Sequence, residues 1–193
     1  MAVTTFTVAA AADDQTVAGT RVAVYPPSYD TTANGAQPSV TNQFNSVSYL
    51  FRHCLLRWDT SSLAGATITA AVLKLNILQL SDSDAKSLIG DWHTWTPNPD
   101  GGSFDTTPPT ATAVAAVAVS TLTVADTDFT LLNPNTNINK TGYTGIRLTL
   151  NGGAPTSFNN VVISGREDSA LLCARLEVTY TPAAKRMTLV GVG

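Results

Sequence analysis

Within the apolar run at residues 67–80, residues 73–77 alternate strictly. Leu73, Leu75 and Ile77 fall on one side, while Lys74 and Asn76 fall on the other. A helix would repeat its apolar positions every three or four residues; a period of two describes a strand with one dry face and one wet face. Three more runs are strong strands, at residues 49–58, 143–150 and 171–180, each rich in Val, Ile, Leu, Thr or aromatic residues. Weaker strands are expected at residues 4–10, 15–24, 112–124, 129–132 and 158–164. Between them stand breakers such as Pro26-Pro27, Asn34-Gly35, Pro108-Pro109, Asn133-Pro134 and Asn151-Gly152-Gly153. No helix of ordinary length is expected, only a short turn near residues 59–63. In the last run, Leu172, Ala174, Leu176, Val178 and Tyr180 share a face, which sends Cys173, Arg175, Glu177 and Thr179 to the polar one.

Some nine strands are enough for two packed layers. The expected fold is all-β, a jelly-roll-like two-sheet antiparallel β-sandwich spanning residues 1–182 as one domain, with residues 183–193 as an apolar tail. The long connections at residues 26–45 and 94–110 fit the loops at the ends of such a sandwich, where function usually sits.

Charge narrows the partners. Only 13% of residues are charged against 44% hydrophobic, and the net charge is −3. The surface must therefore be covered largely by Thr, Ser, Asn and Ala. No basic stripe is present to follow a phosphate backbone, so nucleic acid is not an expected partner. No apolar run reaches the ~18 residues of a membrane-spanning helix, and the amino terminus has no secretory pattern. A membrane is likewise not expected.

Catalytic patterns are sparse. There is no Gly-x-Ser-x-Gly elbow, no phosphate-binding loop, no His-Glu-x-x-His and no dinucleotide fingerprint, so neither an enzyme nor a cofactor is expected. His53 alternates with Phe51 and Leu55, which reads as a packed core histidine. Asp82, Asp84, Asp126 and Asp128 read as solvated loop acids. Asp13, Asp14, Arg166 and Glu167 suggest either a salt-bridged turn or part of a divalent-cation site; the turn is favoured, because calcium takes six or more oxygens and no calcium-loop motif is present. Cys54 and Cys173 match no metal spacing and read as two thiols.

Trp92 and Trp95 are the candidate ligand-binding pair, because indole faces stack on sugar rings; the competing reading is that they plug the sandwich core. Tyr25 and Tyr29, in the loop after an early strand, carry the same two readings.

Cys54-Leu55-Leu56-Arg57-Trp58-Asp59-Thr60-Ser61-Ser62-Leu63, followed by Ala66-Thr67-Ile68-Thr69-Ala70-Ala71-Val72-Leu73-Lys74-Leu75, resembles the opening of the DNRLRE-type jelly-roll module. Ser164-Gly165-Arg166-Glu167 leading to Arg175-Leu176-Glu177-Val178-Thr179-Tyr180 is similar to that family's closing turn and strand. Asp91-Trp92-His93-Thr94-Trp95 and Tyr143-Thr144-Gly145-Ile146-Arg147-Leu148 resemble two of its middle segments. The resemblance spans roughly residues 13–180, and it implies a jelly roll used for carbohydrate binding, adhesion or phage structure.

A chain starting at Met1 without an export signal is expected to leave the cell by lysis, as virion components do. The expected function is thus a non-enzymatic virion structural protein: a capsid decoration protein, or a tail or fibre accessory. Its partners would be copies of itself and other virion proteins. The alternative is a stand-alone, extracellular carbohydrate-binding or adhesion module that takes a surface glycan. The tail, with Met187, Leu189, Val190 and Val192, is β-prone and apolar, and is expected to serve as an assembly arm.

Overall fold

A computed structural model describes residues 1–22, 31–34, 37–95 and 111–183. The described chain is almost entirely antiparallel strand. In order they are β1 (Ala2–Thr7), β2 (Asp14–Val22), β3 (Thr31–Asn34), β4 (Ser39–Phe44), β5 (Ser48–Asp59) and β6 (Thr67–Asp82). Then follow β7 (Ser87–Trp92), β8 (Ala111–Ala118), β9 (Asp126–Thr130), β10 (Tyr143–Asn151), β11 (Phe158–Ile163) and β12 (Arg175–Thr181). Among the described residues helical structure is confined to single turns, one of them at Ser61–Leu63 as the sequence suggested, another at Pro134–Asn137.

The strands form one curled sheet in the order β1-β12-β6-β11-β4-β5-β10-β7-β8, with β2 attached to β5, β3 to β2, and β9 to β6. Two long strands make the curl. The 16 residues of β6 pair with β12 through the first part and with β11 through the last, while β9 joins across the middle. Along β5, β4 and β10 take successive segments and β2 runs beside them. A strand too long for one layer passes into the next, so the sheet folds over and packs against itself as a sandwich.

The main core lies between the layers. Leu73, Leu75 and Ile77 of β6 and Leu176 and Val178 of β12 meet Cys54, Leu56 and Trp58 of β5 and Ile146 and Leu148 of β10. Trp58 donates its indole N–H to the Ala174 carbonyl at 3.2 Å, which satisfies the one polar atom of a wholly buried ring. On the outer face of β6, Lys74 pairs with Asp128 at 2.8 Å across to β9.

Several strand expectations need correction. The described residues contain twelve strands and not nine, and β3, β4 and β7 fall outside the expected runs. In β4, Ser39, Val40, Thr41 and Asn42 are all buried, so no polar alternation marks it. Asp126 and Asp128 stand on a strand, β9, which ends at Thr130, and are not loop acids. β8 stops at Ala118, well before residue 124. β12 begins only at Arg175, because residues 169–173 turn: the Cys173 N–H donates to the Ser169 carbonyl. Alternation therefore does not reach back to Leu172 and Cys173. Leu172 is exposed, and Cys173 is buried in the core instead of lying on the polar face. Both cysteines are free thiols, as the sequence indicated.

Candidate functional site

The face of β5, β10 and β7 turned away from the main core carries the most chemistry among the described residues. Strand alternation puts Phe51, His53, Leu55 and Arg57 of β5, Gly145, Arg147 and Thr149 of β10, and Ile89 and Asp91 of β7 on that face. The register sets Arg147 directly opposite Asp91, and their side chains close an ion pair at 2.9 Å. Together with the β10–β11 turn, Phe51, His53, Ile89, Asp91, Arg147 and Thr149 line an open pocket of about 310 Å³.

Both histidines near it are neutral. Burial, then the Arg147 guanidinium, lowers His53 to about 3; the same two causes, partly offset by Asp91, lower His93 to about 4. An uncharged imidazole both donates and accepts a hydrogen bond. The pocket therefore combines a cation, an anion, a neutral imidazole and a hydroxyl beside an aromatic ring.

One end of this face is dry. Val17, Leu55 and Trp95 form a second, small apolar cluster, and Trp95 donates its N–H to the Leu56 carbonyl at 3.3 Å. Arg57 lies over the rings of Trp95 and Tyr143, 5.1 Å and 4.2 Å from their centres, and binds Asp13 at 2.6 Å. Gly145 makes the stack possible. A methyl group there would strike the His93 carbonyl and lie 3.0 Å from Trp95 Cδ1.

The turns around the pocket are pinned by charged groups. Lys86, 1% exposed, donates through Nζ to the Gly152 and Gly153 carbonyls at 2.8 and 2.9 Å. Those glycines have φ of 121° and 77°, backbone that other residues rarely adopt. Asp84 accepts from the Thr156 hydroxyl, from the Asn159 amide and from the Thr156 and Ser157 N–H groups, bonds that hold its carboxyl well below the usual range.

Asp14 accepts the Arg166 N–H at 2.6 Å, and burial, reinforced by Glu167 and Asp13, pushes its carboxyl up to about 7. Asp14 thus holds the turn at Arg166 through the backbone, and Asp13 pairs with Arg57 and not with Arg166. Among the described residues, no three His, Cys, Asp or Glu side chains converge where they could hold a metal ion.

The two tryptophans do not form a joint platform. Trp92, 2% exposed, points into the main core and donates to the Leu132 carbonyl at 2.9 Å, whereas Trp95, 8% exposed, lies on the opposite face. His53 does share a face with Phe51 and Leu55, but that face is not the main core: His53 is half-buried at the pocket. Tyr25, Tyr29, Met187, Leu189, Val190 and Val192 lie outside the described residues. Sequence reasoning missed Arg147, Asp91 and Thr149 as a group, since only the β7–β10 register unites them. No family model matches this chain, and no curated protein matches it.

Proposed function

We propose that this chain is a non-enzymatic structural protein of a virion, either a capsid decoration protein or a tail or fibre accessory, that works beside copies of itself. The observation that carries this reading is the use made of its buried charged groups. Lys86, Asp14 and the Arg57–Asp13 pair each tie backbone or side chains of separate elements together. Groups spent in this way stiffen a wall instead of turning over a substrate. Low surface charge and an antiparallel sandwich suit a piece that packs against neighbours. Particles purified on a density gradient and probed by immunogold electron microscopy with an antibody to this chain test it. Regular surface labelling is expected; label confined to the soluble fraction overturns the reading.

A second reading, a carbohydrate-binding or adhesion module, is favoured by the pocket itself. Planar polar groups beside Phe51 are the kind of lining that receives a sugar hydroxyl array. A glycan array with the native protein and with Arg147→Ala tests this. Binding that the substitution abolishes supports it, and an array without binding removes it.

A further inference from the structure

Unpaired strand edges invite other chains, and natural sheets guard them with charge or cover. The edges of this sheet differ in that respect. β9 carries Asp126 and Asp128, and β8 is met by the Leu132 N–H, which donates to the Ala113 carbonyl at 2.9 Å. Among the described residues β1 has neither protection. Its sequence, Ala-Val-Thr-Thr-Phe-Thr, holds no charge, no proline and no glycine, and among the described residues it pairs only with β12.

The apolar side chains around that edge are open as well. Met1 is 94% exposed and Val3 61%. Past the other end of β1, the Val8 N–H bonds the Ala174 carbonyl, and just before Ala174 stand Leu171, 81% exposed, and Leu172, 39%. Four of the exposed large apolar residues therefore lie on β1, immediately before it, or in the segment beside its far end.

We infer that the β1 edge is an interface for a second copy of this chain, pairing β1 with β1 antiparallel across a two-fold axis. The inference deepens the structural-protein reading by naming the partner and the surface. A two-fold contact uses the same patch on both molecules, so an uncharged edge meets an uncharged edge, whereas the β9 edge would oppose its own aspartates. The pleat fixes the register. Ala2, Thr4 and Phe6 face inward and Val3, Thr5 and Thr7 outward, so a continuous sheet must set like against like. The axis must then pass through a residue and not between two.

Centring on Thr4 uses the whole strand: Ala2 opposes Phe6, Val3 opposes Thr5, and Met1 opposes Thr7. That places Met1 of each copy toward the end where Leu171 and Leu172 of the other stand exposed. Six residues of edge bury little by themselves, and these added apolar contacts bring the area closer to what a stable dimer needs.

The test is light scattering coupled to size exclusion, on the full chain over a range of concentrations. The native protein is expected at twice its 20.2 kDa mass, and Val3→Lys, which places a charge on an exposed position, at the single mass with its circular dichroism unchanged. Register is read by mixing Val3→Cys with Thr5→Cys chains and oxidising: the mixed disulfide should form well above either self-pair, because the register sets Val3 opposite Thr5, and the buried Cys54 and Cys173 do not compete. A native monomer at all concentrations, or a Val3→Lys protein still at the double mass, overturns the inference. Absence of the chain from particles would leave the dimer intact, so the two readings fail separately.

Discussion

Replacing Arg57 by methionine keeps the apolar stem and removes the guanidinium. Asp13 then keeps a buried carboxylate that has lost its 2.6 Å partner, and both side chains are largely withdrawn from water. Breaking a buried pair from one side costs about 3–5 kcal/mol, because the remaining charge is stranded. Loss of the stacking on Tyr143 and Trp95 adds about 0.5–2 kcal/mol per ring, part of which the methionine recovers by contact. The net expectation is about 4 kcal/mol, or a melting point lower by roughly 8–16 °C for a chain of this length. Asp13→Asn should cost less, since an amide oxygen can still accept from Arg57. The double variant should fall short of the sum of the two by about 1–3 kcal/mol, the signature of direct coupling. Urea unfolding followed by tryptophan fluorescence measures all four corners. A single Arg57→Met cost below about 1 kcal/mol, or strict additivity in the cycle, refutes the argument that this pair holds β5 to the segment before β2.

Three other outcomes are expected. Gly145→Ala should lower the melting point by several degrees, since the methyl displaces the His93 carbonyl and the Trp95 ring; an unchanged melt would show that neither contact constrains the strand. Asp14, held up at about 7, binds an extra proton in the folded state, so its contribution to stability falls as pH rises from about 4 to 7. His53 and His93, lowered to about 3 and 4, act oppositely and raise stability up to about pH 6.5. At pH 6.5 about half of the unfolded imidazole is still protonated, so between pH 6.5 and 8 the remaining gain from the two histidines offsets the remaining loss from Asp14. Over that range urea unfolding should find the native protein nearly unchanged and Asp14→Asn more stable by on the order of 1 kcal/mol, and parallel profiles for the two would contradict the shift at Asp14. Thiol titration should count two groups in the unfolded chain and almost none in the native one, and fast native labelling would contradict the burial of Cys54 and Cys173.

The fold was legible where a strand has one wet face. Leu73, Leu75 and Ile77 announced β6, and the turn after Asp59 was read correctly because its residues bond locally: Asp59 accepts the Ser61 N–H at 3.0 Å. β4 was hidden because its buried face and its opposite face are both covered, which leaves Ser39, Thr41 and Asn42 looking like loop. Cys173 was misplaced because alternation was carried back across a turn that no glycine or proline marks, although its bonds are local: the Leu172 and Cys173 N–H groups both donate to the Ser169 carbonyl. The site was legible in pieces. The sequence singled out Trp95 and His53 but not their relation to Arg147 and Asp91, which depends on pairing strands separated by more than 50 residues. It also grouped Trp92 with Trp95, because proximity in sequence does not reveal that three residues at the end of β7 carry two rings to opposite faces.

The role proposed for this sandwich is that of a building block of a particle. Quantitative mass spectrometry of purified particles, set against the soluble fraction of the same lysate, measures that directly. The chain is expected mainly with particles, in a fixed ratio to their other shell proteins through repeated purification. A chain absent from particles and recovered only in the soluble fraction would contradict it.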